Sequence, residues 1–460
     1  MSRQSSRAQQ ACLRCRTQKR KCDKQLPGCA LLSRACRYAV QNGSVNPAAQ
    51  QPSVSVPVPE LTQLTPESIS STIKAQVITA IGGERSVRQA AAVYFQTIQS
   101  WLPIIDERLY YDRLPSSLKD TPEFCLLTLC MFLLGTVPVD HELSLRMRSL
   151  YTLAKTFVAL IDATGENTLD LLQARLLLTI FEVGHGMYPA AYMSMGANVR
   201  AAVALGANGT CDRQLCAMFN SAERADEARC TWRGIVIADR YVALESGKGS
   251  LIHKDVMPMN AAESQGSIRT ICPTTRAETA IHEARPSIPS IDQVLTHVHD
   301  PTQHQDFNNN EALQLLKTLN AFEATLQAHP ALNTLCDSTT ALWRSAALTF
   351  MKFGCHVKQP DGEYCNALAL TRLVELVKDL VSSCVMLVSG VSPFHPGALP
   401  VFVIQPVYKA ALLLRGDLMN NPRFQNKNAG RDLENSLQCM GGRWLAARRY
   451  LLDLGGRDMQ

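Results

Sequence analysis

The sequence predicts a mainly α protein in three parts: a small basic cysteine module over residues 8–40, a flexible linker over 41–75 and a large all-α body over 76–460. Three observations carry this. Positive charge and cysteines concentrate at the N-terminal end, a charge-free stretch rich in Pro, Ser and Gln follows, and apolar residues then recur at helical spacing to the C-terminal end. With 460 residues, 46% hydrophobic and 19% charged, the chain has enough apolar surface for a sizeable folded body.

The head is defined by its charge. Residues 1–40 hold ten Lys or Arg against one acid, Asp23, a net charge of +9, whereas the remaining residues carry 36 bases and 39 acids. A short basic arm on a near-neutral body suits a polyanionic partner, because each phosphate it neutralises releases condensed counterions. The alternative for such an arm is a solvated basic tail. The N-terminus, MSRQSSRAQQ, is polar and lacks the apolar core of a secretory signal, so the expected compartment is reducing.

The linker reading rests on Gln41 to Pro59, nineteen residues without a charge and without a heptad pattern. In the body, Val87, Ala91, Tyr94, Ile98 and Trp101 follow i, i+4, i+7, i+11, i+14, which predicts a helix ended by Pro103. Phe124 to Val139 is an uncharged run interrupted by Gly135 and Pro138, too short to span a bilayer and read as a buried helix. Asn167 or Thr168 caps a helix through LDLLQARLLLTIFEVG, whose leucines on several faces predict deep burial. Further helices are predicted over 190–205, 222–244, 311–328, 338–353, 367–388, 401–415 and 433–454. Residues 260–291, rich in Thr, Ser and Pro, read as a loop within the body.

Five of the sixteen cysteines lie at positions 12, 15, 22, 29 and 36, and the other eleven are scattered from Cys125 to Cys439. The scatter reads as core packing, since free Cys behaves as a small hydrophobe. Cys12, Cys15, Cys22 and Cys29 are separated by two, six and six residues, spacings at which four thiolates converge on one tetrahedral zinc. The competing explanation, a chance run of buried thiols, needs a core that so short and basic a segment cannot supply.

On these residues, 11–38 resemble the DNA-binding domain of fungal binuclear zinc cluster transcription factors, in which two short helices and six cysteines hold two zincs. The resemblance implies that Cys12 and Cys29 bridge the metals, that Cys15 and Cys22 complete the first site and that Cys36 serves the second. It also places a fifth cysteine at position 32, where this sequence has Leu32, with only three residues between it and Cys36. One zinc site is intact and the second lacks a ligand. The segment between the second and third cysteines carries recognition in that family. Here it implies a guanine contact for Lys19, a further base contact for Gln18, phosphate contacts for Arg16 and Lys21, and Arg20 within the same basic run, on CGG-type half-sites of double-stranded DNA. The run from Gln18 to Lys21 also reads as a nuclear-import signal, and the two readings are compatible. Pro27 matches the family's loop between the two halves.

The stretches from Tyr94, Leu171 and Thr231 are similar to the fungal-specific middle homology region that follows the cluster, most of all in regulators of secondary-metabolite gene clusters. The resemblance implies a nuclear transcription regulator controlled by a small-molecule effector or a co-regulator. Both a monomer and a homodimer built through the body stay open, since the linker lacks heptads. Leu32 motivates the alternative, an interaction-only regulator whose degenerate cluster binds another factor rather than DNA. A metal buffer or redox protein would need reactive, accessible body cysteines.

Catalysis finds no foothold: G-x-S-x-G, G-x-x-x-x-G-K-[ST], H-E-x-x-H and paired aspartates are all missing. Gly184-His185-Gly186 before Tyr188-Pro189 reads as a turn between helices, with His185 a capping or hydrogen-bonding residue rather than a base. Arg175, Glu182, Asp239 and Arg240 read as buried ion pairs or core hydrogen-bonding groups.

Overall fold

The structure, a computed structural model, describes residues 65–209, 211–252, 287–328, 337–355, 363–389, 398–416, 418, 421, 422, 424 and 426–457. Among them are sixteen α-helices and no strand beyond one isolated bridge between Val139 and Glu142. The cysteine module, its two expected helices and the basic residues at 16 and 18–21 lie outside the described residues.

The first described helix lies partly within the span read as linker. Helix α1 (Pro66–Ile81) starts at a capping box: the Ser68 amide donates to the Thr65 hydroxyl at 3.2 Å and the Thr65 amide to Ser68 Oγ at 3.0 Å, with Pro66 at the first helical position. Residues 66–75, read as linker, are therefore helical. Helix α2 (Glu84–Thr97) buries Val87, Ala91 and Tyr94 as its period predicts, but ends one turn before Trp101. Trp101 instead folds back, its indole donating to the Thr97 carbonyl at 3.1 Å, and is itself buried. Helix α3 (Glu107–Asp120) leads into α4 (Pro122–Gly135), which is apolar on every side and correspondingly central.

Helix α5 (Leu145–Thr164) runs from Ser144, which accepts from the Met147 amide, to Gly165 in the left-handed region at φ 82°. Helix α6 (Leu169–Gly184) is capped by Thr168, whose hydroxyl accepts from the Leu171 amide at 3.3 Å. It is buried along its length and packs on α4 more extensively than any other neighbour does. Thr168→Ala should cost about 1 kcal/mol of stability by leaving that amide unpaired, measurable as a lower urea midpoint with unchanged slope.

Helices α7 (Tyr188–Leu205), α8 (Asp212–Phe219) and α9 (Ala222–Ser246) follow, α7 and α9 both packing on α6. Helix α10 (Ser287–His299) begins inside the stretch read as a loop to 291, so the loop is shorter at that end. After α11 (Gln305–Ala328), helix α12 (Ser338–Cys355) forms a second centre against α13 (Glu363–Val388), α10, α9 and α14 (Ile404–Arg415), the last entered through a tight turn over Val401–Val403. The single helix expected over 433–454 is two, α15 (Ala429–Gly441) and α16 (Leu445–Arg457). The Gly441-Gly442 pair breaks the ladder, and Arg443 turns away to donate to the Thr136 carbonyl at 2.9 Å and to the Leu134 carbonyl, closing the C-terminal end of α4. No described helix is long and apolar enough to cross a membrane.

Candidate functional site

The polar residues singled out in the helices act structurally. Glu182 is fully buried and accepts from the Tyr151 hydroxyl at 2.7 Å and Lys155 Nζ at 2.9 Å, and Arg175 pairs with Asp162. Asp239 accepts from the Leu251 amide at 3.1 Å, from Ser250 Oγ at 2.6 Å and from Arg240 at 2.8 Å, so one carboxylate closes the turn after α9. Arg240 also reaches Asp292 on α10. Asp170, Arg113, Arg224 and Glu227 form a second network, with Glu227 accepting from the Asp106 amide at 2.8 Å. Burial alone would raise the Asp170 carboxyl, but its two guanidinium partners outweigh that and hold it below the usual carboxylate value. Each of these carboxylates accepts from at least one donor, so each has a structural use.

His185 caps α6, and its ring packs edge-on to Phe181 with centroids 4.3 Å apart. Burial, with Arg443 nearby, pushes its pKa down to about 3, so the ring is neutral at physiological pH. The eight cysteines among the described residues divide: Cys125, Cys130 and Cys384 are buried, Cys216, Cys230, Cys355 and Cys439 are half-buried, and Cys211 is exposed. Core packing therefore holds for part of the scatter only. Burial raises the Cys125 and Cys384 thiols to about 12, well away from reactive thiolate. Among the described residues no group of three or more His, Cys, Asp or Glu could hold a metal.

One concave site stands out in the body. A cavity of about 940 Å³ opens where the starts of α7 and α16 meet the end of α9, with α10, α12 and α14 completing the wall. Its floor is apolar, built from Val242, Leu348, Leu413 and Ala446. One wall is aromatic: Tyr408 and Tyr450 stack at 4.1 Å with 9° between their planes. The polar groups converge from different helices, Glu245 from α9, Lys409 from α14, and Tyr188 and Tyr450 from α7 and α16. Sequence reasoning did not find this site, because its lining comes from six helices whose local patterns show only ordinary amphipathicity. The GHGMYP turn was a partial signal, since Gly186, Tyr188 and Pro189 all line the cavity and the Gly186 carbonyl accepts from Arg449 at 2.9 Å.

The described residues of the body thus form an all-α unit with one ligand-sized cavity. Residues 91–266 match the family described as the fungal specific transcription factor domain, and residues 10–44 match the fungal Zn(2)-Cys(6) binuclear cluster domain. The chain is also similar to transcription factor BOA15 of Botryotinia fuckeliana, at 39% identity over 115 residues that make up 25% of this chain. The match spans 63% of that relative's length. No solved structure matches the chain. A zinc-cluster domain followed by this regulatory domain is an architecture typical of DNA-binding transcriptional regulators, and it matches non-catalytic transcription-factor families, not an enzyme fold.

Proposed function

We propose that this protein is a zinc-dependent, sequence-specific DNA-binding transcription regulator that acts in the nucleus on CGG-type half-sites. The observation that carries the reading is that residues 10–44, which match the zinc-cluster family, contain Cys12, Cys15, Cys22 and Cys29 at metal-binding spacing around the run from Arg16 to Lys21. Four thiolates fit one tetrahedral zinc completely. The second site draws on Cys36 and the two bridging cysteines and lacks the ligand that position 32 would supply. Zinc, when bound, supplies the folding free energy of a module too small for its own core. Lys19 then reads guanine, Gln18 adds a base contact, and Arg16, Arg20 and Lys21 hold the backbone. The similarity of the three helical stretches to regulators of secondary-metabolite gene clusters supports such a gene cluster as one candidate target set.

A second reading is favoured by Leu32: a head with one loaded zinc that no longer reads DNA, in a protein acting through another factor. Native mass spectrometry of the full-length protein, with anisotropy titrations on duplexes with and without CGG at rising salt, separates the two. The DNA-reading protein carries at least one zinc and prefers CGG, and Lys19→Met weakens CGG binding about 10–100-fold, the loss of one specific base contact worth about 1–3 kcal/mol. Binding that ignores sequence and vanishes with salt establishes the interaction-only reading instead.

A further inference from the structure

We infer that the cavity between α7, α9, α12, α14 and α16 is a receptor for an aromatic small molecule bearing one anionic group, with Lys409 as the anion's partner. Lys409 reaches the cavity from α14. Its ammonium is held at 3.0 Å from Ser345 Oγ and 2.7 Å from Thr349 Oγ1, with the Ser345 carbonyl at 3.5 Å. All three partners are neutral oxygens, and no carboxylate lies within ion-pairing distance of it among the described residues. Glu245 favours the charged form of this half-buried lysine from beyond ion-pairing distance, and an anion arriving beside it would add a direct counter-charge.

The acid of the site is already supplied. Glu245 accepts from Gln405 Nε2 at 2.7 Å, and the hydroxyls of Tyr188, Tyr241 and Tyr450 gather around it. Those three hydroxyls are buried beside one another and beside Glu245, a polar cluster that a ligand's polar atoms would join. Lys352 and Arg449, both exposed, line the cavity together with Asp453. The stacked Tyr408–Tyr450 pair and the apolar floor suit a flat, unsaturated body, and about 940 Å³ lies in the range of small-molecule sites. Since the wall draws on helices from both halves of the body, an occupant would tie them together.

The site is testable without DNA, so its failure leaves the transcription-regulator reading untouched. The probes are anilinonaphthalene sulfonate, an aromatic monoanion, and phenylnaphthylamine, the same body without the charge, titrated by fluorescence into the full-length protein. The expected result is one saturable sulfonate site per chain, at least about tenfold tighter than the neutral probe. Lys409→Met should remove the preference while leaving the neutral probe within about twofold, and Leu412→Trp, which fills the cavity, should weaken both. Equal affinities in the wild type, a preference that survives Lys409→Met, or indifference to Leu412→Trp would each overturn the assignment.

A titration of the wild type serves if the variants fail to fold. Burial, with Lys352 nearby, pulls Lys409 down to about 8, against the opposing pull of Glu245. Glu245 on α9, Lys352 on α12 and His299 on α10 are the charged or titratable groups facing it, and His299 titrates below its ordinary value. The sulfonate preference should therefore fall as pH rises from about 7 to about 9.5, through the lysine's own titration. A preference flat across that range sinks the proposal.

Discussion

Cys22→Ser should strip the full-length protein of its zinc and abolish its DNA binding while leaving the helical body folded. Apparent zinc affinity in modules of this kind is worth about 10–16 kcal/mol at neutral pH, and with no core of its own the head has nothing else to replace it. Serine keeps the shape but cannot supply a thiolate at this pH. The effect should be graded by position. On the proposed ligand set Cys22 completes the one intact site, so its loss should remove the last fully ligated metal. On the same set Cys36 serves a site that lacks a ligand at position 32, so Cys36→Ser should lower zinc content and CGG affinity less. Native mass spectrometry gives the metal count, anisotropy gives the DNA affinity, and the far-UV melt reports the body. That melt should not move, because no metal-holding cluster occurs among the described residues and the core there is built from the body's own helices. A Cys22→Ser protein that keeps both its zinc and its CGG selectivity would rule out the assigned ligand set. A body that unfolds with the metal would mean that the two parts are energetically coupled.

What the sequence disclosed follows the range of the interactions involved. Thr168 was legible as a cap because the cap and the amide it serves are three residues apart, and the leucines of α6 announce burial within a single turn. The helix expected over 222–244 forms over Ala222–Ser246. The start at Pro66 was missed although Thr65, Pro66 and Ser68 form a local signal, because the polar composition around them resembles the linker. The break at Gly441-Gly442 was also present in the sequence, but apolar residues on both sides kept a helical period across it. Long-range chemistry was not legible. Asp170 meets Arg113 from 57 positions away and Arg224 from 54, and no local pattern announces either partner. The cavity is the extreme case: Lys409 reads as one more basic residue on a helix until Ser345, Thr349 and Glu245 are brought around it.

Trp444→Ala should cost the body about 3–5 kcal/mol, the range for deleting a large buried aromatic side chain. Trp444 is fully buried where the start of α16 meets the end of α6, and its indole donates to the Leu399 carbonyl at 2.9 Å. Its ring lies edge-on to Trp101 at 6.3 Å and beneath the Arg443 guanidinium at 4.5 Å. The indole can lie this close to α6 only because position 184 has no side chain. A Cβ there would sit 2.3 Å from Trp444 Cε3, far inside contact distance, so Gly184→Ala must push a ring that is packed on every side. Overpacking of this kind costs about 1–3 kcal/mol. The two positions share one space, and their effects should therefore not add: in the double variant the alanine methyl occupies part of the volume the indole vacates. The expected loss for the pair is smaller than the sum of the singles by at least about 1 kcal/mol, read from urea unfolding of the full-length protein by far-UV circular dichroism. Additive losses would mean that α16 does not dock on α6 through this pair. In that case the GHG turn and the α16 residues that line the cavity wall are not held together in the way the structure shows.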